Sequence, residues 1–330
     1  MLCSSTAAKR CVPAMRLSYD RVMVTGGAGF IGSHTVDALL HSGLRVWVLD
    51  DLSSGSLPNL SQWKKNSNLH FKRGDVTKYK TVVSLARKAE AIIHLAAVVS
   101  PNISIRRPEL AHQVNVSGTM NVLRAGVKHG VHKIVFASSS SVYGNTNSVR
   151  IREDAKLEPI TPYGASKLAA EKYCHAYYKS YELSTVSLRY FNVYGERQSS
   201  NPYSGVIAIF AQRLLKGLPP IIYGDGLQTR DFIHVSDVVN ANLLALRCRR
   251  GMGEAINIGT GHATTITDLY RLLTEVVGRT NTPPVFKPAR RGDIETSCAS
   301  IAKACALLGF RPKIPLRQGL KCLIGSFRSS

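Results

Sequence analysis

The chain has 330 residues, a formal net charge of +22 from 43 Lys and Arg against 21 Asp and Glu, and 44% hydrophobic residues; that suits a globular protein with one large core or two unequal domains sharing an interface. Apolar runs such as those through Val22–Val24 and Ala91–Val99 stop short of the roughly 18 residues a bilayer span needs, which excludes a transmembrane helix. The basic residues are spread out, with nothing denser than Arg106-Arg107, Arg247-Cys248-Arg249-Arg250 and Arg290-Arg291 and no aromatic RNA-binding signature among them, so the charge is read as a general surface property suited to anionic small ligands, with no nucleic-acid partner.

The first 20 residues carry Lys9, Arg10 and Arg16, no acid before Asp20, and no apolar run of the kind a secretory signal requires. They are expected to be a disordered extension, with an organellar presequence as the alternative. From Arg21, short β-branched runs alternate with stretches of helical period. Arg21–Thr25, Arg45–Asp50, Leu69–Gly74, Ala91–Leu95, Lys133–Ala137 and Thr185–Leu188 read as strands, and Phe30–His41, Thr77–Lys88, Glu109–His129 and Pro162–Tyr181 as helices. This order predicts an α/β fold with a doubly wound parallel sheet over 21–191. After Asn192 the order loosens. Short strands at Ile221–Tyr223, Asp231–His234, Ala255–Ile258 and Val285–Lys287 mix with helices at Gly205–Lys216, Ser236–Arg247, Ile266–Val277, Ser300–Leu308 and Leu316–Phe327. That predicts a smaller, partly interleaved α/β domain over 192–330, with a ligand cleft between the two. Seven cysteines at 3, 11, 174, 248, 298, 305 and 322 form no CxxC pair and have no histidines at zinc-finger spacing; reduced thiols in the cytoplasm and no metal are expected.

The predicted strand Arg21–Thr25 runs into Gly26-Gly27-Ala28-Gly29-Phe30-Ile31-Gly32, which opens a helix. Glycines there permit a tight turn, close approach of backbone to a pyrophosphate, and close helix-to-strand packing, while the helix N-terminus offers free amides. Eighteen residues after Gly32, the next strand ends in Asp50-Asp51, where a carboxylate can accept from ribose hydroxyls and repel a 2′-phosphate, favouring NAD over NADP; two adjacent acids also suit a plain turn. In Gly74-Asp75-Val76, Asp75 either lies near the adenine or caps a helix. Tyr163 and Lys167, in Thr161-Pro162-Tyr163-Gly164-Ala165-Ser166-Lys167, are spaced to share one helical face. An ammonium beside a phenol is expected to lower the phenol's pKa and make it a general base, the alternative being an ordinary surface pair.

Together with His94-Leu95-Ala96-Ala97, Ser138-Ser139-Ser140-Ser141-Val142-Tyr143-Gly144, Arg189-Tyr190-Phe191-Asn192-Val193-Tyr194-Gly195, Tyr223-Gly224-Asp225-Gly226 through Arg230-Asp231-Phe232-Ile233-His234-Val235, and Asn257-Ile258-Gly259, these motifs resemble the extended short-chain dehydrogenase/reductase family, and within it the UDP-sugar 4-epimerases, over about Arg21 to Gly325. The resemblance implies a Rossmann domain and an isomerase that oxidises C4 of a UDP-hexose to a transient ketone with NAD and reduces it from the other face. It implies Tyr163 as base, Lys167 as its electrostatic partner and a nicotinamide-ribose ligand, and Ser139 as the group bonded to the sugar hydroxyl. Asn115 would orient the lysine through water, and Leu95, Ala96 and Ala97 would line the cofactor. Asn192, Val206, Arg230, Arg290 and Asp293 would hold the UDP, the two arginines being otherwise solvated surface. It also implies a homodimer packed through the helices at Glu109–His129 and Pro162–Tyr181.

Ser140-Ser141 stand where the family's dehydratases carry Asp-Glu and its UDP-glucuronate decarboxylases a Glu at the second position, which favours simple oxidation and reduction at C4. A UDP-glucuronate 4-epimerase is the next reading, and a catalytically silent dinucleotide-binding regulator the alternative of another class. Ser297, four residues after Asp293, is expected to border the pocket for the sugar's C2 substituent and to leave room for an N-acetyl group, unless it is a loop hydroxyl facing solvent.

Overall fold

The computed structural model describes residues 19–146, 148–198, 205–289 and 294–329. In the first half the chain forms β1 (Arg21–Thr25), α1 (Phe30–His41), β2 (Arg45–Asp50), β3 (Leu69–Arg73), α2 (Tyr79–Ala86), β4 (Ala91–His94), α3 (Pro101–Arg106), α4 (Pro108–His112), α5 (Gly118–Lys128), β5 (Lys133–Ser139), α6 (Pro162–Tyr181) and β6 (Ser184–Tyr190). The second half forms β7 (Asn192–Tyr194), α7 (Val206–Leu215), β8 (Ile221–Tyr223), β9 (Thr229–Arg230), β10 (Phe232–His234), α8 (Val235–Arg247), β11 (Ala255–Ile258), β12 (Thr264–Thr265), α9 (Ile266–Val277), β13 (Val285–Lys287), α10 (Ala302–Leu308) and α11 (Leu316–Ser329).

The main sheet has the order β11-β6-β5-β4-β1-β2-β3, and every neighbouring pair is parallel. Its strands are apolar at successive positions because helices cover both faces. Alternation along β1 divides the core: Val22 and Val24 join Val46, Val48, Ile93 and Val135 on the face covered by α1 and α8, while Met23 joins Trp47, Leu49, Ile92, Ile134 and Phe136 on the face covered by α2, α5 and α6. Each such side chain contributes about 1.5–3 kcal/mol by leaving water. β3 is an edge strand; Leu69 and Phe71 turn to the core while His70, Lys72 and Arg73 are exposed. The second half returns β11 to the sheet beside β6 and builds its own core from Ile207, Phe210, Leu214, Leu269, Leu273, Leu320 and Leu323.

Three elements differ from the sequence reading. The helix expected over 109–129 is α4, a π-helical turn at Gln113–Ser117, and α5. The turn precedes Gly118, where a Cβ would stand 2.9 Å from Val76 Cγ2, so the helix passes that strand loop at glycine-only distance. The strand expected at 231–234 is β10 at Phe232–His234, separated from the unexpected β9 by Asp231, whose carboxylate turns fully inward to accept from Thr260, Gly261 and Ala299. The short α3 carries no periodic apolar stripe and was not expected; Pro101 at its first position and the Ser100 cap, which accepts from the Ile103 amide, start it.

Candidate active site

The glycine turn joins β1 to α1 at the carboxyl edge of the sheet. Gly26 has φ +68°, and a Cβ on it would lie 2.8 Å from the Ala96 amide; a Cβ on Gly32 would lie 1.9 Å from the Gly26 carbonyl oxygen. Glycine is therefore required by close backbone approach at both ends of the turn. Gly29 is the N-cap of α1 and, lacking a side chain, leaves the amides around Phe30 and Ile31 uncapped, a cradle that suits a pyrophosphate. The Asp50 carboxylate sits at the end of β2 and accepts from Ala28 N at 2.9 Å and Leu52 N at 2.8 Å. Burial raises its pKa, with the two amides opposing and Asp51 adding to the rise. Asp51 is exposed and accepts from Ser53 N and Oγ, so of the two acids Asp50 faces the cradle and Asp51 makes a turn. Asp75 accepts from Thr77 N at 2.7 Å in a turn ahead of α2, whose N-cap is Lys78, so it does not cap that helix, and Val76 is buried behind it. Glycine backbone, uncapped amides and a strand-end carboxylate fit a dinucleotide without a 2′-phosphate.

At the same edge, α6 begins with Thr161 capping Gly164 N at 3.1 Å and Pro162 in the first position. That start places Tyr163 and Lys167, both buried, against the end of β5. Ser139 lies beside Tyr163, where its hydroxyl favours the phenolate; Ser139 Oγ donates to Ser141 Oγ and accepts from Ser141 N, each at 3.1 Å. Lys167 Nζ donates to the Ala137 carbonyl at 2.8 Å and lies 5.0 Å from the centre of the Phe136 ring. Burial pushes Tyr163 upward, opposed by Ser139, and pushes Lys167 down to about 7. The lowering of Tyr163 by Lys167 expected from their spacing is therefore not the governing effect; in this dry pocket both groups are driven toward neutrality, because low dielectric penalises either charge. The Asn115 side chain accepts from Val98 N at 2.8 Å and donates to Val98 O at 3.1 Å and Ser166 Oγ at 2.9 Å, so its amide group is committed to the segment Leu95-Ala96-Ala97-Val98 and to α6.

On the second-half side, Asn192 begins β7 and donates its amide to Asp231 O, and Val206 begins α7; both are half-buried. The sheet register pairs Ser139 with Tyr190, two residues before Asn192, which joins the two groups of candidates. Arg230 Nη1 donates to Thr229 O at 2.8 Å and Ile294 O at 2.5 Å, holding β9 against the segment after Asp293. Ser297 is buried, which removes the reading as a solvent-facing hydroxyl. Arg290 and Asp293 lie outside the described residues. Residues not assigned a role from sequence also converge here: Thr25, His94, Thr119, Ser166 and Ser104 form a buried polar path behind the pocket wall. Only the sheet register, which sets Thr25 beside His94, carried a signal of it.

An open parallel sheet whose carboxyl edge combines a glycine turn with a Tyr-Lys pair belongs to dinucleotide-dependent enzymes. The chain is a member of the NAD dependent epimerase/dehydratase family, whose profile matches residues 22–259. It is 39% identical to the UDP-glucose 4-epimerase of Mycolicibacterium smegmatis over 94% of this chain and 99% of that one. The solved UDP-glucose 4-epimerase of Thermotoga maritima with UDP-glucose superposes with a TM-score of 0.88 at 40% identity, covering 93% of this chain and 98% of the other. A UDP-N-acetylglucosamine 4-epimerase from Methanobrevibacter ruminantium in complex with UDP-N-acetylmuramic acid gives 0.90 at 34% identity, with 94% and 98% covered.

Proposed function

We propose that this chain is an isomerase, an NAD-dependent UDP-hexose 4-epimerase that interconverts UDP-glucose with UDP-galactose and, through Ser297, also their N-acetylated counterparts. The observation that carries the reading is the contact between Tyr163 and Ser139 beside Lys167, with serines rather than acids at 140 and 141. Tyr163 takes the proton from the sugar 4-hydroxyl and returns it, while Ser139 holds that oxygen within reach. Ser140 and Ser141 offer no carboxylate for eliminating water. Lys167 supplies a cation when protonated, which favours the phenolate form of Tyr163. Bound NAD supplies the hydride acceptor, the returning hydride and a positively charged ring at this end of the pocket. Gly26, Gly29, Gly32 and Asp50 are read as holding it, with Leu95, Ala96 and Ala97 as the wall; Asn192, Val206, Arg230, Arg290 and Asp293 are read as holding the nucleotide.

In this reading 21–191 binds the cofactor and 192–330 mainly the sugar nucleotide, supported by the separate second-half core and by the return of β11 to the sheet. Two copies associate through α5 and α6, whose exposed Val127, Tyr173 and Tyr181 are apolar for solvent positions. The free thiols of Cys174, Cys248, Cys298, Cys305 and Cys322 suit a reducing cytoplasm. No helix among the described residues is long and apolar enough to cross a membrane.

The test is incubation of purified protein with UDP-glucose, UDP-galactose, both N-acetylated sugars and UDP-glucuronate, with chromatographic separation of the 4-epimers. Conversion of UDP-glucose is expected. Conversion of UDP-glucuronate alone, or of nothing, overturns the proposal.

A further inference from the structure

Behind the pocket wall, buried polar side chains form a path of hydrogen bonds that is continued through the main chain at Asn115 and Tyr163. Thr25 Oγ1 is 2.6 Å from His94 Nδ1, and His94 Nε2 is 3.0 Å from Thr119 Oγ1. Thr119 Oγ1 donates to the Asn115 carbonyl at 2.6 Å, and Asn115 Nδ2 donates to Ser166 Oγ at 2.9 Å. Ser166 Oγ donates to the Tyr163 carbonyl at 2.8 Å; the Tyr163 amide donates to Ser104 Oγ at 3.0 Å, and Ser104 Oγ donates to Pro101 O at 2.7 Å. All these side chains are buried.

The protons fit in only one direction. Thr25 Oγ1 already accepts from the amides of Leu95 and Ala96, each at 3.2 Å, so its own proton goes to His94 Nδ1. Thr119 spends its proton on Asn115 O, so it can only accept from His94 Nε2–H. Both ends select the neutral Nε2–H tautomer, and the remaining hydroxyls each donate once and accept once. Burial, with the Lys167 charge adding to it, holds His94 down at about 3, so the ring stays neutral across the physiological range.

The path has a mechanical consequence. It starts at the amides of the cofactor-lining residues Leu95 and Ala96, clamps Val98 through both its amide and its carbonyl, and ends on both backbone polar groups of Tyr163. The π-helical turn at Gln113–Ser117 is what brings the Asn115 side chain to the crossing point between the wall and α6. We propose that His94, Asn115 and Ser104 are positioning residues, which through this single directional chain of hydrogen bonds hold the Leu95–Val98 wall and Tyr163 as one rigid unit. A base misplaced relative to the pocket wall loses rate more than it loses substrate binding. The proposal rests on reading Tyr163 as the base.

The test combines nitrogen-15 histidine spectra with kinetics of Thr119→Val, Thr119→Ser and Ser104→Ala. In the parent, His94 is expected to show the Nε2–H tautomer with no titration down to about pH 5. Thr119→Val is expected to move the His94 signals, and Thr119→Val and Ser104→Ala each to lower kcat about tenfold with KM for UDP-glucose within about twofold; Thr119→Ser, which keeps the hydroxyl, restores kcat. A His94 that titrates near its ordinary range, kcat retained in both broken-chain variants, or Thr119→Ser failing like Thr119→Val overturns the proposal. If the parent epimerises no UDP-sugar, the functional reading fails by itself, and the spectra of Thr119→Val decide the chain: moved His94 signals support it, unmoved signals overturn it.

Discussion

Ser138 and Ser139, neighbours at the end of β5, meet α6 at two different places: Ser138 Oγ donates to Glu171 Oε2 at 2.7 Å, beside the buried Arg189 fork, while Ser139 lies beside Tyr163 at the start of that helix. The buried ion pair that Ser138 joins is structural, whereas Ser139 stands at the proposed base. Ser139→Ala and Tyr163→Phe should each lower kcat on the order of 100-fold with the fold intact. Ser138→Ala should leave kcat near the parent value and lower stability by about 1–3 kcal/mol, because Glu171 loses a buried donor. Initial rates and urea midpoints separate these outcomes, and a reversal of the two serines would remove Ser139 from the site.

A Cβ on Gly32 collides with the Gly26 carbonyl at 1.9 Å, whereas one on Gly325 in α11 meets nothing within 4 Å. Protein purified without added cofactor should release NAD and not NADP on denaturation. Gly32→Ala should lose that bound NAD, while Gly325→Ala keeps it. NADP in the parent would overturn the reading of Asp50.

Stability should depend on pH through His94. Its folded pKa is depressed to about 3 from an ordinary 6.5, by burial first and by Lys167 second. Between those values the unfolded chain binds a proton that the folded chain does not, so stability falls as pH drops from 6.5 toward 3, by up to about 1.4 kcal/mol per pH unit. Lys167, lowered to about 7 from 10.5 by burial, acts in another window: stability of the cofactor-free protein rises as pH goes from 7 toward 10.5. Urea midpoints across pH should show both slopes, with the acid one shallower in His94→Gln; equal acid slopes in the two proteins would contradict the neutral burial of His94.

Ser297 is buried beside the segment that Arg230 holds. If it borders the C2 pocket, the parent converts UDP-N-acetylglucosamine as well as UDP-glucose, and Ser297→Tyr fills the space and abolishes only the N-acetylated reaction. Competition between the two sugars measures this; unchanged preference in Ser297→Tyr counts against the assignment.

Much of the first half was legible because most of its parallel strands are short apolar, largely β-branched runs separated by longer stretches of helical period, so Arg21–Thr25 and Phe30–His41 fall where periodicity put them. In the second half the longer helices and the strands Ile221–Tyr223, Ala255–Ile258 and Val285–Lys287 were legible too. The two-residue strands Thr229–Arg230 and Thr264–Thr265 and the short Asn192–Tyr194 carry no local signal, and the chain between β9 and β10 is fixed by the inward turn of Asp231 rather than by pattern. In the site, Tyr163, Lys167 and Asp50 were visible from spacing and strand ends. Asn115 was visible as a residue, but its contacts to Val98 and Ser166 were not, because they depend on how the π-helical turn aims its amide. The sign of the Tyr163 shift was missed because spacing reports proximity, whereas burial is set by the whole pocket.

The outer edge of the sheet carries a charge pattern that bears on self-association. β3 ends the sheet with a row of backbone groups facing solvent, an invitation for a strand of another molecule to add on. His70, Lys72 and Arg73 stand along that border, and the whole chain carries +22. A second molecule approaching with its own β3 meets like charge before any backbone bond can form, so the excess of basic residues acts as a built-in guard against edge-to-edge aggregation and a source of colloidal solubility.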